Sequence, residues 1–247
     1  MLPILAVIAA AVLFGTTGTS QALGPAGTTP LGVGVMRLVI GGTGLAAIGF
    51  LLARRHRRRT GAPARTPTTR EFALMATTGV CLAVYQPLFF LGTERNGVAV
   101  GTVIALGSAP VLAGLLEWAL TRRLPSRIWM LATVLATMGV VLLGAAGGSG
   151  GGADALGILG SVGAGASFAI FANAQRRLMQ GGWDPFTVAG AMGLGSAVVG
   201  TLGLPFADLS WVADPRGLAM SLWLGIATVA IAYTLFTWGL QRLTAAT

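Results

Sequence analysis

The fold class this sequence predicts is all-α, a polytopic bundle of transmembrane helices, and three observations predict it. Of its 247 residues 54% are hydrophobic and only 9% charged, with a mean hydropathy of +0.79. A soluble domain carries roughly a quarter charged residues, so this composition could not cover a surface facing water. The apolar residues fall into eight long runs, each close to the ~20 residues a helix needs to cross ~30 Å of hydrocarbon. Finally, every basic residue other than His56 is arginine, and the arginines gather mainly between the runs.

The first run, 3–22, lacks a positive leading flank and is longer than a signal-peptide core, so it reads as a retained helix. The second, 31–53, follows Pro30 and holds Arg37. The third, 71–93, and fourth, 97–120, carry Pro87 and Pro110, which free carbonyls and predict static kinks more readily than gating hinges. The fifth runs over 127–146, the sixth over 155–175, the seventh over 185–204 and the eighth over 217–239. Lipid offers an open backbone no hydrogen-bond partner, which selects helices, and the two-residue alternation of a barrel is missing.

The connections set the topology. Arg54, Arg55, Arg57, Arg58, Arg59, Arg65 and Arg70 lie between helices 2 and 3. Arg122, Arg123 and Arg127 lie between helices 4 and 5, Arg176 and Arg177 follow helix 6, and Arg242 follows helix 8. A cytoplasmic N-terminus puts all of these on the cytoplasmic side and only Arg95 and Arg216 outside, as the positive-inside rule requires. The expected location is therefore a bacterial cell membrane of the inner-membrane type. The lipid bilayer is the primary partner, and the net charge of +9 orients helices in an anionic membrane, with no nucleic acid implied. Trp183 and Trp211, near helix ends, read as interface anchors.

Several function classes fall away. Cys81 and His56 are the only residues of their kinds, so disulfide, thiolate-metal, zinc and haem chemistry lack ligands. No Lys exists to complete a phosphate-binding loop, and the glycine-rich run Gly147–Gly152 reads as a flexible external linker. The sequence predicts no metal and no cofactor. It predicts no enzyme either, since no membrane histidine can serve a nucleophile.

The two ends of the chain resemble each other. A shift of 154 residues lays Phe14 on Phe168 and Gln21 on Gln175. A shift of 155 lays Pro30 on Pro185, and one of 148 lays Tyr85 on Tyr233. The repeat unit then has five helices, and an odd number turns the second copy upside down. Inverted repeats suit secondary transporters, whose two halves exchange inward-open and outward-open states. The division is 1–146 for the first repeat, 147–154 for the linker and 155–247 for an incomplete second repeat. About eight helices of an expected ten are present, because Thr244–Thr247 would begin the ninth. That raises a truncated, non-transporting scaffold or inactive paralogue as the alternative reading, and a homodimer as a source of the missing wall.

Charge inside a membrane costs roughly 2.5–3.5 kcal/mol on insertion scales, so each such residue has a reason to be there. Glu117, near the end of helix 4, reads either as a proton-coupling carboxylate or as an interface residue paired with Arg122 or Arg123. Arg37 reads as an anchor for an anionic substrate group or as a structural cap. Phe14, Thr17 and Gln21 share one helical face, and Phe168, Phe171 and Gln175 repeat that spacing with Asn173 nearby. Two such faces meeting across a pseudo-twofold axis would form a partly polar substrate cavity, whereas small polar residues also serve plain helix packing. Tyr85, Gln86 and Phe89 on helix 3, and Tyr233, Thr237 and Trp238 on helix 8, are further cavity candidates, since aromatic walls with few polar tips suit amphipathic organic molecules. Gly157, Gly160, Gly163 and Gly165 predict close helix packing.

Three strings carry a family resemblance: PLGVGVMRLVIGGTGLAA in the second helix, ERNGVAVGTVIALGSAPVLAGLLEWALTRRLP from the third into the fourth, and WMLATVLATMGVVLLGA in the fifth. With the repeat plan, they make the chain resemble the EamA-type branch of the drug/metabolite transporter superfamily over essentially its whole length. Arg37 falls at the position of the family's recurrent arginine, while Arg122 stands where the family often has Glu. The resemblance implies a secondary transporter, commonly an exporter of small metabolites, amino acids or drugs.

Overall fold

The computed structural model describes residues 2–61, 65–122 and 154–240, together with residues 130, 131, 133–135, 137–139 and 142. The helices are α1 (Leu2–Ala22), α2 (Pro30–Thr60), α3 (Thr69–Asn96), α4 (Val98–Thr121), α5 (Ala155–Gln180) and α6 (Pro185–Gly203). Two 3₁₀ turns, Leu204–Phe206 and Ser210–Ala213, lead to α7 (Pro215–Leu222), a π-helical segment (Trp223–Ile231) and α8 (Ala232–Leu240), which continue one another. Among the described residues there is no strand. Among the described residues seven helices are long and apolar enough to cross a membrane, the last being Pro215–Gly239 taken as one. Large apolar side chains such as Leu5, Ile8, Val12, Leu159, Leu194 and Leu202 point outward. That would be costly in water and is ordinary in lipid. The chain is a multi-pass membrane protein of helical type. The expected fifth helix over 127–146 lies only partly within the described residues. The linker 147–153, Arg123, Arg127, Arg242 and Thr244–Thr247 lie outside them.

Local chemistry sets most helix starts. Thr29, Asp184 and Asp214 each precede a proline, and their side chains accept from the backbone N–H of Gly32, Thr187 and Arg216. Proline costs nothing at a first helical position, where its missing N–H has no intrahelical partner anyway. Asp154 accepts from the Gly157 N–H at 2.8 Å to open α5. Thr68 and Glu71 form a reciprocal capping box on α3: the Thr68 N–H donates to Glu71 Oε2 at 2.9 Å and the Glu71 N–H to Thr68 Oγ1 at 3.4 Å.

Two sequence expectations change. The charge pattern predicts a connection over Arg54, Arg55, Arg57, Arg58 and Arg59, yet α2 continues through them to Thr60 and stops at Gly61, whose φ of 67° is left-handed. Arginine is a good helix former, so leaving the hydrocarbon does not end the helix. For the same reason Arg176 and Arg177 lie inside α5. The two tryptophans are not lipid-facing anchors. Trp183 is 8% exposed and Trp211 6% exposed, and their ring N–H groups donate to Glu71 Oε1 at 2.9 Å and to the Asp208 carbonyl at 3.0 Å.

The chain packs as two compact units. Unit 1 comprises Met1–Ala83 and Ala174–Thr247. In it α2 and α6 run antiparallel along a glycine seam. A Cβ on Gly42 would lie 2.7 Å from the Gly193 carbonyl oxygen, and one on Gly49 would lie 2.7 Å from the Gly190 nitrogen. The π segment closes on the other side of α2, where a Cβ on Gly41 would lie 2.9 Å from the Gly225 carbonyl. Small residues of this kind drive helix association in lipid, where burial of apolar surface gives no net force. Met75, Leu178, Trp183 and Val188 form a core at one end of the unit. Unit 2, Val84–Asn173, holds the later part of α3, α4 and most of α5. Its close approaches are again at glycine. A Cβ on Gly160 would lie 2.9 Å from the Leu88 carbonyl, and one on Gly165 would lie 2.8 Å from that of Ala105. α3 and α4 run through Pro87 and Pro110 as continuous helices.

Candidate functional site

In unit 1 the candidate residues Thr17, Gln175, Tyr233 and Arg37 are buried, and Gln21 and Trp238 half-buried. Phe14 of α1 meets Tyr233 of α8 edge to face, with centroids 5.0 Å apart, and reaches Phe236 at 6.4 Å. The helical register that puts Phe14, Thr17 and Gln21 on one face therefore turns that face toward α8. Gln21 Oε1 is buried and accepts no hydrogen bond among the described residues. Gln175 Nε2 donates to the Met192 sulfur at 3.2 Å, a weak acceptor that leaves the amide readily exchangeable. Arg37 is only 4% exposed, in the early part of α2.

In unit 2 Tyr85 is buried, stacked on Phe89 at 5.5 Å and tilted against Phe168 at 6.4 Å. The cluster extends through Phe168–Phe171 at 4.7 Å and Phe89–Phe90 at 5.5 Å. Gln86 is fully buried beside it in sequence. Asn173 is half-buried and its Nδ2 donates to the Ala169 carbonyl at 3.0 Å and the Ala113 carbonyl at 3.4 Å, tying α5 to α4. Glu117 is half-buried on α4, one turn before Thr121 and the left-handed Arg122 that ends the helix. Among the described residues no group of three or more His, Cys, Asp or Glu side chains could hold a metal ion.

One constellation was not expected from the sequence. At one end of unit 1 Arg65 pairs with Glu71, donates to the Gly181 carbonyl at 2.7 Å and lies over the Trp183 ring at 4.8 Å. It clasps the α2–α3 connection to the α5–α6 turn. Its signal in the sequence was the Thr68-x-x-Glu71 capping box, which fixes the carboxylate at the start of α3. At the other end of α3, in unit 2, Asn96 and Asp154 exchange hydrogen bonds of 2.8 and 3.2 Å, with Arg95 3.5 Å from the Asp154 carboxylate.

A bundle of membrane helices with buried amides, buried tyrosines and one deep arginine suits passage of small molecules. The comparisons with known proteins bear on the same point. The model of the EamA-like transporter family matches residues 1–145, more than half of the chain. The chain belongs to the EamA-like transporter family. It is 40% identical to the uncharacterized transporter YwfM of Bacillus subtilis (strain 168) over 234 residues, which is 95% of this chain and 75% of that one. The fold also matches a protein of known crystal structure at a TM-score of 0.66 and 23% identity, over 98% of this chain and 80% of that one. This EamA-type chain is accordingly a membrane transporter, in contact with the lipid bilayer and acting on small molecules.

Proposed function

We propose that this EamA-type chain is a secondary transporter of the cell membrane, with a cytoplasmic N-terminus. It exports small metabolites, amino acids or amphipathic drugs by alternating access between two inverted five-helix repeats, 1–146 and 155–247. The observation that carries this reading is a crosswise pairing of repeat-related residues. Phe14 of the first repeat packs on Tyr233 of the second, and Phe168 of the second packs on Tyr85 of the first. The offsets that relate Phe14 to Phe168 and Tyr85 to Tyr233 come from the sequence alone. A repeat that exchanges equivalent contacts in this way has the internal symmetry alternating access requires. The clasp at Arg65 supports the orientation. It holds the arginine-rich end of α2, the start of α3 and the end of α5 on one side, which is the side the positive-inside rule assigns to the cytoplasm.

Thr17, Gln21, Gln175, Tyr233 and Trp238 in unit 1, and Tyr85, Gln86 and Asn173 in unit 2, are the proposed substrate-handling residues. Their buried amides and phenol-bearing rings supply few, directed polar contacts on apolar walls, the pattern of small-molecule sites. Arg37 meets anionic groups of the substrate. Glu117 couples transport to protons: it lies inside a span of α4 and caps no helix start, unlike Glu71, Asp154, Asp184 and Asp214. The test is counterflow of mixed radiolabelled amino acids and amphipathic cations in proteoliposomes, for the wild type and Glu117→Gln. Uptake above empty liposomes that is lost or uncoupled from pH in Glu117→Gln is the expected result. Uptake indifferent to the substitution removes Glu117 from the coupling role, and no uptake of any probe favours the non-transporting reading.

A further inference from the structure

A second site lies at the arginine-rich end of unit 1. A cleft of about 540 Å³ opens there between the first turn of α3 and the last turn of α5, lined by Thr68, Arg70, Glu71, Leu74, Arg177 and Gln180. Its one carboxylate is already engaged: Glu71 takes Arg65 and the Trp183 ring N–H on Oε1 and both Thr68 donors on Oε2. Arg70 and Arg177 have no acidic partner within 4.0 Å among the described residues. Two guanidinium forks and the Gln180 amide thus line a space whose one carboxylate is neutralised from behind.

We propose that this cleft holds the phosphate of an anionic phospholipid headgroup. Guanidinium groups pair with phosphate oxygens two at a time, which suits Arg70 and Arg177 better than it would lysines. The cleft lies at the ends of two membrane-spanning helices, the level at which headgroups sit. Leu74 continues the lining toward the hydrocarbon, and Phe72, one residue from Glu71, is 64% exposed on the same helix. A phosphate that arrives tethered to acyl chains satisfies the polar lining and the apolar flank together, which free phosphate does not. The positive side of the protein faces the leaflet rich in anionic lipid, where juxtamembrane basic residues bind headgroups. This inference is independent of whether the chain transports anything.

The test uses the full chain in nanodiscs of phosphatidylcholine doped with phosphatidylglycerol, with retained lipid counted by native mass spectrometry. Wild type is expected to retain phosphatidylglycerol selectively. Arg70→Gln and Arg177→Gln each lower its apparent affinity about fivefold, and Arg177→Lys falls between. Arg54→Gln with Arg55→Gln, exposed on α2 outside the cleft, leaves retention unchanged. Arg177→Lys keeps the charge and decides the matter if either neutral variant fails to fold. Equal losses from the Arg54/Arg55 pair would show only general surface attraction and overturn the site. Displacement of the lipid by inorganic phosphate at millimolar concentration would overturn the lipid assignment in favour of a free-phosphate site.

Discussion

Tyr233 in unit 1 and Tyr85 in unit 2 are related by the 148-residue offset of the proposed repeat, and their surroundings differ in an instructive way. Tyr233 meets Phe14 edge to face at 5.0 Å, and Phe14 also reaches Phe236. Tyr85 is stacked on Phe89, whose own neighbour is Phe90, and it meets Phe168 at the longer distance of 6.4 Å. The backbone differs as well. Two residues before Tyr233 a nine-residue π segment ends, and two residues after Tyr85 stands Pro87. Both features weaken the regular helical hydrogen-bond ladder, one by widening the turn and the other by removing a donor. Two unrelated backbone devices thus loosen the helix beside the two tyrosines.

The comparison is most strongly broken by jamming the seam that holds unit 1 together. Gly193→Leu places a side chain where even a Cβ would lie 2.7 Å from the Gly42 carbonyl oxygen and from the Ala46 nitrogen. Overpacking costs about 1–3 kcal/mol when side chains can yield, and here the obstacle is backbone, so the expected loss is at the upper end or beyond. Gly15→Ala is the control, since a Cβ there meets nothing within 4 Å. It should leave the thermal midpoint unchanged or raise it, by up to ~1 kcal/mol from helix propensity. A Gly193→Leu protein as stable as wild type would mean that α2 and α6 are not held by the seam.

Next in size is Pro87→Ala. Restoring an N–H inside α3 supplies a donor to a carbonyl one turn earlier, and proline in a helix interior costs about 3 kcal/mol before tertiary compensation. A gain on the order of 1 kcal/mol in stability is expected, together with slower counterflow if the loosened helix serves transport. Unchanged flux would reduce Pro87 to a static kink and break the parallel with the π segment.

Much of this architecture was legible in the sequence. Pro30 and Pro185 announce helix starts because a cap and a pre-set φ act within four residues, whereas the start at Asp214-Pro215 falls two residues ahead of the apolar run expected from 217. The offsets joining Phe14 to Phe168 and Tyr85 to Tyr233 were legible too. Which helix meets which was not, because the crosswise pairing of those rings is a long-range outcome. The π segment was equally hidden. WLGIATVAI is an apolar run broken only by Thr228, with no proline to mark a widened turn, and its close approach to α2 at Gly225 and Val229 is a long-range contact. Arg54–Arg59 misled for the opposite reason, since charge marks the edge of hydrocarbon and not the end of a helix. Trp183 and Trp211 lie near helix ends, where aromatics commonly face lipid, and only their partners Glu71 and Asp208 show that they face inward.

Smaller again is the difference in coupling between the two aromatic pairs. Double-mutant cycles of Phe14→Ala with Tyr233→Ala, and of Phe168→Ala with Tyr85→Ala, should each give about 0.5–1.5 kcal/mol. The closer edge-to-face pair in unit 1 is expected to give the larger value. A larger coupling in unit 2 would mean that the Phe89 stack tightens the Phe168 contact and would reverse the ranking.

The smallest effect concerns the connection that leads into α7 and the π segment. Asp208 accepts the Ser210 backbone N–H at 3.0 Å, and that bond, followed by one from the Ser210 hydroxyl, holds its carboxyl below the ordinary aspartate range. The folded form thus prefers the carboxylate more than the unfolded chain does, and Asp208 contributes stability only where the unfolded chain would also have lost its proton. That contribution is complete above about pH 4–5. It declines on acidification and is gone once the pH passes below the lowered folded value. Asp208→Asn should therefore melt slightly below wild type at pH 7, and the gap should narrow as the pH falls below the ordinary aspartate range. A gap that does not narrow on acidification would trace the effect to geometry, through the Trp211 ring N–H on the Asp208 carbonyl, and would show that this approach to the π segment is held by shape with no help from charge.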